Sequence, residues 1–131
     1  MALFILNLLG CGALGVNCNM MYAPDMLTIE ITDEAGWSGD VVATVTGDGA
    51  TIDCSFSDDG FGNCSDGSNV FVTEDQMTLM LWEFTPDVAD FSLSIDGVDV
   101  FAEALEPVYD EDEPNGQGCG VRSYATVQVS L

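Results

Sequence analysis

The segment LTIEIT at residues 27–32 alternates apolar and polar side chains, with Leu27, Ile29 and Ile31 on one side and threonine or glutamate on the other. Successive side chains of a β-strand point to opposite faces of its sheet, so this alternation predicts a strand with one buried and one solvated face. The pattern recurs along the chain, and we expect about eight strands in all. The apolar positions of the other predicted strands are Val41/Ala43/Val45, Ile52/Cys54/Phe56, Val70/Val72, Met77/Leu79/Leu81, Phe91/Leu93/Ile95, Val98/Val100/Ala102 and Ala125/Val127/Val129/Leu131.

Turn signals separate these segments, namely Gly-Asp-Gly at residues 47–49 and Asp-Gly at residues 59–60, 66–67 and 96–97. Glycine supplies the positive φ that tight hairpins require, and the clearest predicted hairpin lies at residues 95–98. Only residues 87–91 approach helical spacing, so helix should be scarce. The pattern predicts an all-β fold, an antiparallel two-sheet β-sandwich with immunoglobulin-like or prealbumin-like topology.

Length and composition are those of one folded domain. The chain has 131 residues, of which 47% are hydrophobic and 18% charged. This length suits a single core, and the apolar content is enough to offset the entropy of ordering the chain.

The charge balance is extreme, with 23 acidic residues against the single basic residue Arg122 and a formal net charge of -22. Nucleic acid is excluded as a partner because Lys and Arg supply the affinity for phosphate backbones, and anionic lipid headgroups would repel the chain. Cations, proteins with basic surfaces and neutral glycans remain as ligand classes. The simplest interpretation of the acidity is a solvating surface suited to a salty medium.

The chain contains no His and no Lys, which removes most recognisable catalytic sites. Catalytic triads, Cys-His pairs, zinc-binding HExxH helices and Schiff-base or P-loop lysines all need one of these residues. A carboxylate pair of a hydrolase is the remaining option, and we expect no enzyme.

The N-terminal residues resemble a bacterial lipoprotein signal. Residues 2–9 (ALFILNLL) form an apolar run too short to span a bilayer, and Leu8-Leu9-Gly10-Cys11 resembles the lipobox in which the cysteine receives diacylglycerol. The expected Lys or Arg before the apolar run is missing. We expect a signal peptide at residues 1–10, a lipidated linker at 11–25 and the sandwich domain at 26–131; the alternative is a buried first strand with an ordinary thiol at Cys11.

The same region matches GxGxxG at residues 10–15, with Glu30 near the position of a ribose-binding acid. That motif needs a helix opening at its last glycine. The residues that follow are interrupted by Asn17, Asn19 and Pro24, so a dinucleotide site is not expected.

The chain has five cysteines, and if Cys11 carries lipid the other four can form two disulfides. Cys54 and Cys64 flank the loop of a predicted hairpin, so we pair them, and Cys18 then pairs with Cys119 by elimination. A zinc site would have to use scattered thiolates without histidine or CxxC spacing, which makes it the weaker alternative.

Two acidic segments carry the oxygen ligands that Ca²⁺ prefers. The candidates are Asp58, Asp59 and Asp66 in the first, and Asp110 and Asp112 in the second. EF-hand spacing is absent, and such runs are usually solvated loops, so we expect no cofactor and keep Ca²⁺ as the alternative.

The two tryptophans have different contexts. Trp82 shares a face with Met80 on a strand that is apolar on both sides, which predicts a central strand with Trp82 in the core. Trp37 lies in the loop at residues 35–39, and we expect it to be exposed and to be the candidate ligand contact.

The stretch PNGQGCG at residues 114–120 before a final strand, together with the lipobox, resembles small, acidic β-sandwich lipoproteins of myxobacteria and related bacteria. The resemblance implies export and lipidation and carries no activity. We expect a lipid-anchored structural or interaction module of a bacterial cell envelope, at the outer membrane, the cell surface or facing the periplasm. Its partners would be the membrane, through the lipid, and a protein, cation or glycan. The alternative function is a calcium-dependent or carbohydrate-binding module.

Overall fold

The computed structural model describes residues 18–57 and 62–131, and its regular structure in these residues is entirely β. The strands are β1 (Met26–Thr32), β2 (Val41–Gly47), β3 (Ala50–Phe56), β4 (Gly62–Cys64), β5 (Asn69–Val72), β6 (Gln76–Trp82), β7 (Ala89–Ile95), β8 (Val98–Leu105), β9 (Asp110–Asp112) and β10 (Arg122–Ser130). The predicted all-β class is confirmed, and every predicted strand segment overlaps an observed strand.

The strands form one hydrogen-bonded sheet in the order β8-β7-β2-β3-β4-β5-β6-β1-β10-β9. Neighbours are antiparallel except β1 and β10, which run parallel in the register Met26↔Tyr124 to Thr32↔Ser130. The predicted division into two sheets is not confirmed. The short strands β4 and β5, of 3 and 4 residues, link the ladder that begins at β8 to the ladder that ends at β9.

The sheet curls around one hydrophobic cluster. Alternate residues of β1, β2, β6 and β7 are buried and belong to the same cluster, although β2 and β7 lie in one arm of the sheet and β1 and β6 in the other. A flat sheet could not bring these strands together. Each Å² of apolar surface removed from water contributes about 25 cal/mol to stability, and the curled sheet buries more of it than a flat one. The fully buried large side chains include Leu27, Ile29, Ile31, Met77, Leu79, Leu81, Phe91 and Leu93.

Two tight hairpins confirm the turn predictions at residues 47–49 and 96–97, whereas the predicted turn at residues 59–60 lies outside the described residues. Gly47 pairs with Ala50 across Asp48 and Gly49, and β7 and β8 meet in the same way across Asp96 and Gly97. Asp48 and Gly49 have φ values of 51° and 77°, and Asp96 and Gly97 have 50° and 82°. Positive φ at both central residues defines the type I′ turn, which Asp-Gly favours because its twist matches that of the strands.

The expected scarcity of helix is confirmed for the described residues, and residues 87–91 lead into β7, which begins at Ala89. The burial predictions for Trp82, Val98 and Val100 are wrong. The strand β6 is central, between β5 and β1, but Trp82 at its end points away from the core and is 37% exposed. Val98 and Val100 are also exposed, because β8 is an edge strand that extends beyond the cluster.

Candidate functional site

The described chain begins at a disulfide that ties its N-terminal end to the loop before β10. Cys18 is bonded to Cys119, with 5.7 Å between their Cα atoms. The four residues that follow Cys18, at positions 19–22, are called here the strap. Its backbone is tied to the same loop. Asn19 N donates to Asn115 O at 2.8 Å, Met21 N donates to Asn115 Oδ1 at 2.9 Å, and Asn115 Nδ2 donates to Met21 O at 3.0 Å.

The strap ends against the end of β6. The rings of Tyr22 and Trp82 meet edge to face with centroids 6.1 Å apart, and Tyr22 Oη donates to Glu83 Oε1 at 3.3 Å. Glu83 has a φ of 54°, which turns the chain away directly after Trp82. Strap and β6 therefore form one surface in which apolar side chains face the solvent. The residues of this surface, called the apolar end, are Met20 (87% exposed), Met21 (55%), Tyr22 (69%) and Trp82 (37%).

The second disulfide lies inside the sheet. Cys54 of β3 and Cys64 of β4 are directly opposite each other in the ladder, with Cα atoms 3.9 Å apart, and both are buried. Both predicted pairings are therefore confirmed. Cys11 lies outside the described residues, and the structure does not test its predicted lipidation.

A shallow hollow lies at the opposite end of β6, beside the loop that contains Trp37. Its volume is about 520 Å³, and its lining includes Glu34, Trp37, Glu74 and Asp75. Trp37 is less exposed than predicted, because its ring packs edge to face on Phe56 with centroids 5.9 Å apart and contacts the core. Its indole Nε1 is buried and has no hydrogen-bond partner.

Of the candidate calcium ligands that the structure describes, Asp66 lies in a different element from Asp110 and Asp112. Asp66 accepts hydrogen bonds from the backbone and hydroxyl of Ser68, both at 2.9 Å, so its carboxylate shapes the β4–β5 turn. Asp110 and Asp112 lie in the edge strand β9. Asp58 and Asp59 fall outside the described residues. Among residues 18–57 and 62–131, no group of three or more His, Cys, Asp or Glu could hold a metal ion.

The single basic residue has two partners of its own. Arg122 forms an ion pair with Asp112 and lies over the ring of Tyr124, with its Cζ 5.1 Å from the ring centroid. Hydrogen bonding to Asp112 raises the pKa of the Arg122 guanidinium, and the negative charge of Asp112 acts in the same direction. Arg122 therefore stays charged and bound to β9.

Tyr109 connects the loop after β8 to the loop before β7. Its hydroxyl donates to Pro86 O at 2.9 Å. Burial raises the pKa of Tyr109 to about 12, and the charges of Asp48 and Asp87 add to the shift. Tyr109 is therefore a neutral hydrogen-bond donor at ordinary pH.

No protein-family model, curated protein or solved structure matches the chain. In the part of the chain that the structure describes, there is also no helix of the length and apolar character needed to cross a membrane. Fold and disulfides together define an acidic, disulfide-bonded all-β protein.

Sequence reasoning missed the apolar end. The run Met20-Met21-Tyr22 has no alternation, and the burial of Trp82 was predicted from its neighbours on one strand. The available signal was the position of Cys18, since a disulfide there must hold the next residues against the domain. The role of Asn115 has no sequence signal beyond the turn-forming stretch that contains it.

Proposed function

We propose that this protein is exported to a bacterial envelope, is held at a membrane by a lipid on Cys11, and serves there as a structural or interaction module. The supporting observation is the use of the cysteines. Cys54–Cys64 and Cys18–Cys119 account for four of the five, which leaves Cys11 of the lipobox-like sequence for acylation. Disulfides of this kind persist in oxidising compartments outside the cytoplasm.

The remaining support comes from the surface. With 23 acidic residues and one basic residue, the protein presents a negative field that attracts cations and basic partner surfaces and keeps copies of the chain apart. The one basic side chain is already paired with Asp112. These properties favour a partner-binding or spacing role over a role in chemistry.

We also propose that the two arms of the sheet pack face to face as the layers of a sandwich. The support is the shared hydrophobic cluster, which contains Ile29 and Leu79 from one arm and Val45 and Phe91 from the other. A pair of sheets joined through short strands would satisfy both the hydrogen-bonded order and the burial pattern.

Replacement of the lipobox cysteine tests the anchor. Wild type is expected to partition with membranes, with a mass showing acyl groups on Cys11, because buried acyl methylenes hold a protein at the bilayer. The Cys11→Ser variant should appear in the soluble fraction. Ala13→Ser is the matched control and should stay in the membrane fraction. An unmodified Cys11 in protein from producing cells would contradict the proposal.

The alternative proposal is a calcium-dependent or carbohydrate-binding module, for which the hollow beside Trp37 is the supporting observation. A neutral glycan that enters the hollow should change Trp37 fluorescence, and the Trp82→Phe variant isolates that signal. Calcium should raise the melting temperature beyond an ionic-strength-matched sodium control, and Asp58→Asn with Asp59→Asn should remove that increment. No response to glycans or calcium would exclude this alternative.

A further inference from the structure

We infer that the apolar end, formed by Met20, Met21, Tyr22 and Trp82, rests on the headgroup region of a bilayer with zwitterionic or neutral lipids. This inference depends on the proposed lipid anchor at Cys11. It assigns an orientation to the domain, with the strap toward the membrane and the Trp37 loop away from it.

The first argument for this orientation is the length of chain between the anchor and the folded domain. Cys11 and Cys18 are seven residues apart, and an extended chain of that length spans at most about 25 Å. The Cys18–Cys119 disulfide fixes the end of this tether to the loop before β10. Met20 is only two residues further along the chain. The anchor therefore keeps the apolar end within about 25 Å of the bilayer.

The second argument is that the backbone of the strap is held in place. Met20 and Met21 are exposed although their backbone is tied down by the disulfide and by the hydrogen bonds to Asn115. A loosely attached terminus would need to lose conformational entropy on contact, whereas a fixed one has already lost much of it. The strap thus presents apolar side chains outward in a set arrangement.

The third argument is the type of side chain found at the apolar end. Trp and Tyr are enriched at the interface between hydrocarbon and headgroups, where the ring is apolar and its polar atom reaches water. Tyr22 and Trp82 form such a pair, and the Glu83 carboxylate beside them suits the ammonium group of a choline or ethanolamine headgroup. The net charge of -22 disfavours anionic lipids, which selects zwitterionic or neutral ones.

The two tryptophans allow a test with an internal control. Trp82 ends β6, whereas Trp37 shares a hollow with Glu74 and Asp75, just before β6 begins at Gln76. A seven-residue strand of this kind is about 20 Å long, so the two indoles report on opposite ends of the domain. The Trp37→Phe variant leaves only Trp82, and Trp82→Phe leaves only Trp37.

Each variant, purified from producing cells in its lipidated form, is placed on phosphatidylcholine vesicles with and without brominated acyl chains, which quench nearby indoles. The expected result is a loss of Trp82 emission and no change in Trp37 emission. Met20→Ser with Met21→Ser in the Trp37→Phe background should reduce the quenching of Trp82, whereas Val98→Ser at the distant β7–β8 turn should not.

Mass analysis and vesicle flotation separate the two proposals. If Cys11 carries acyl chains and the protein floats with the vesicles, unquenched Trp82 would overturn the inferred orientation while the anchor stands. If Cys11 carries no acyl chain, the proposed anchor fails. The Cys11 thiol is then coupled to a maleimide phospholipid, and the same quenching result supports or overturns the membrane preference of the apolar end.

Discussion

Arg122 and Asp112 form a two-point ion pair that joins the last two strands of the sheet. Arg122 Nε donates to Asp112 Oδ1 at 3.0 Å, and Nη2 donates to Oδ2 at 2.6 Å. The two residues are also opposite each other in the β9–β10 ladder. The chain thus uses its only basic side chain to hold a three-residue edge strand that would otherwise depend on few hydrogen bonds.

Replacing this arginine should detach the edge strand with little effect on the rest of the protein. In Arg122→Gln, the amides of Asp110–Asp112 are expected to exchange faster. The free energy of unfolding should fall by less than about 1 kcal/mol, since the pair is at the surface, with side chains 28% and 36% exposed. Hydrogen exchange by mass spectrometry measures the first effect and urea unfolding the second. Thr126→Ala, at an exposed position of the same strand, should change neither.

The two disulfides should differ in their resistance to reduction. Cys54 and Cys64 are buried, whereas Cys18 and Cys119 are partly exposed. A reductant at low concentration should therefore open Cys18–Cys119 first, because attack requires access to the sulfur. Alkylation and peptide mapping under native conditions identify the opened pair, and both pairs should be alkylated in urea. Earlier opening of Cys54–Cys64 would contradict the burial seen in the structure.

Glu103 is placed where its charge should keep the edge strand β8 from pairing with a second chain. It is directly opposite the buried Phe91, so its side chain lies on the core face of the sheet and remains exposed at the edge. Inward-pointing charges at edges prevent strand addition. The Glu103→Val variant should therefore form dimers or larger assemblies in size-exclusion chromatography. Glu106→Val, which removes one charge beyond the end of β8, should remain at the size of the wild type.

Tyr109 should make stability fall at alkaline pH. Because burial raises its pKa to about 12 from 10.0, the unfolded chain loses the proton at a lower pH than the folded chain. This stabilising contribution is complete below pH 10 and is lost as the pH rises from 10 towards 12. In Tyr109→Phe the fall in melting temperature over that range should be smaller. Absorbance at the tyrosinate band, compared between wild type and Tyr109→Phe, checks that the substitution removes a tyrosine that ionises late.

The net charge should make stability depend on salt. With a formal net charge of -22 on one small domain, repulsion between carboxylates opposes the compact state, and salt screens this repulsion as ionic strength rises. The melting temperature is therefore expected to increase with sodium chloride. Potassium chloride at equal ionic strength should act alike, since screening does not depend on ion identity. A melting temperature indifferent to salt would mean that the carboxylates are too dispersed to repel one another.

Local patterns of the sequence predicted most strands and the two tight hairpins, but not the short strands β4 and β9. Alternation over LTIEIT predicts which side chains of β1 are buried, and Asp96-Gly97 predicts the hairpin around it, because both depend on neighbouring residues only. The predicted disulfide pairs are also confirmed: Cys54 and Cys64 are close along the chain, and Cys18 pairs with Cys119 once Cys11 is assigned to the lipid. Asp58, Asp59 and Cys11 lie outside the described residues, and their predicted roles stay predictions.

Pairing between strands that are distant along the chain decided the order of the strands and the exposure of the two tryptophans. The sequence by itself determined the all-β class, the positions of most strands and the two tight hairpins, because these depend on residues close together along the chain. Only the tertiary structure decided that β1 lies between β6 and β10, with Glu30 and Gln128 in contact across 98 residues of chain. The same pairings expose Trp82 beside the strap and place Trp37 against Phe56. The alternation of apolar and polar residues shows which face of a strand each side chain occupies. The strands that cover that face come from distant parts of the chain. The curling of the whole sheet therefore determines which faces lose contact with water.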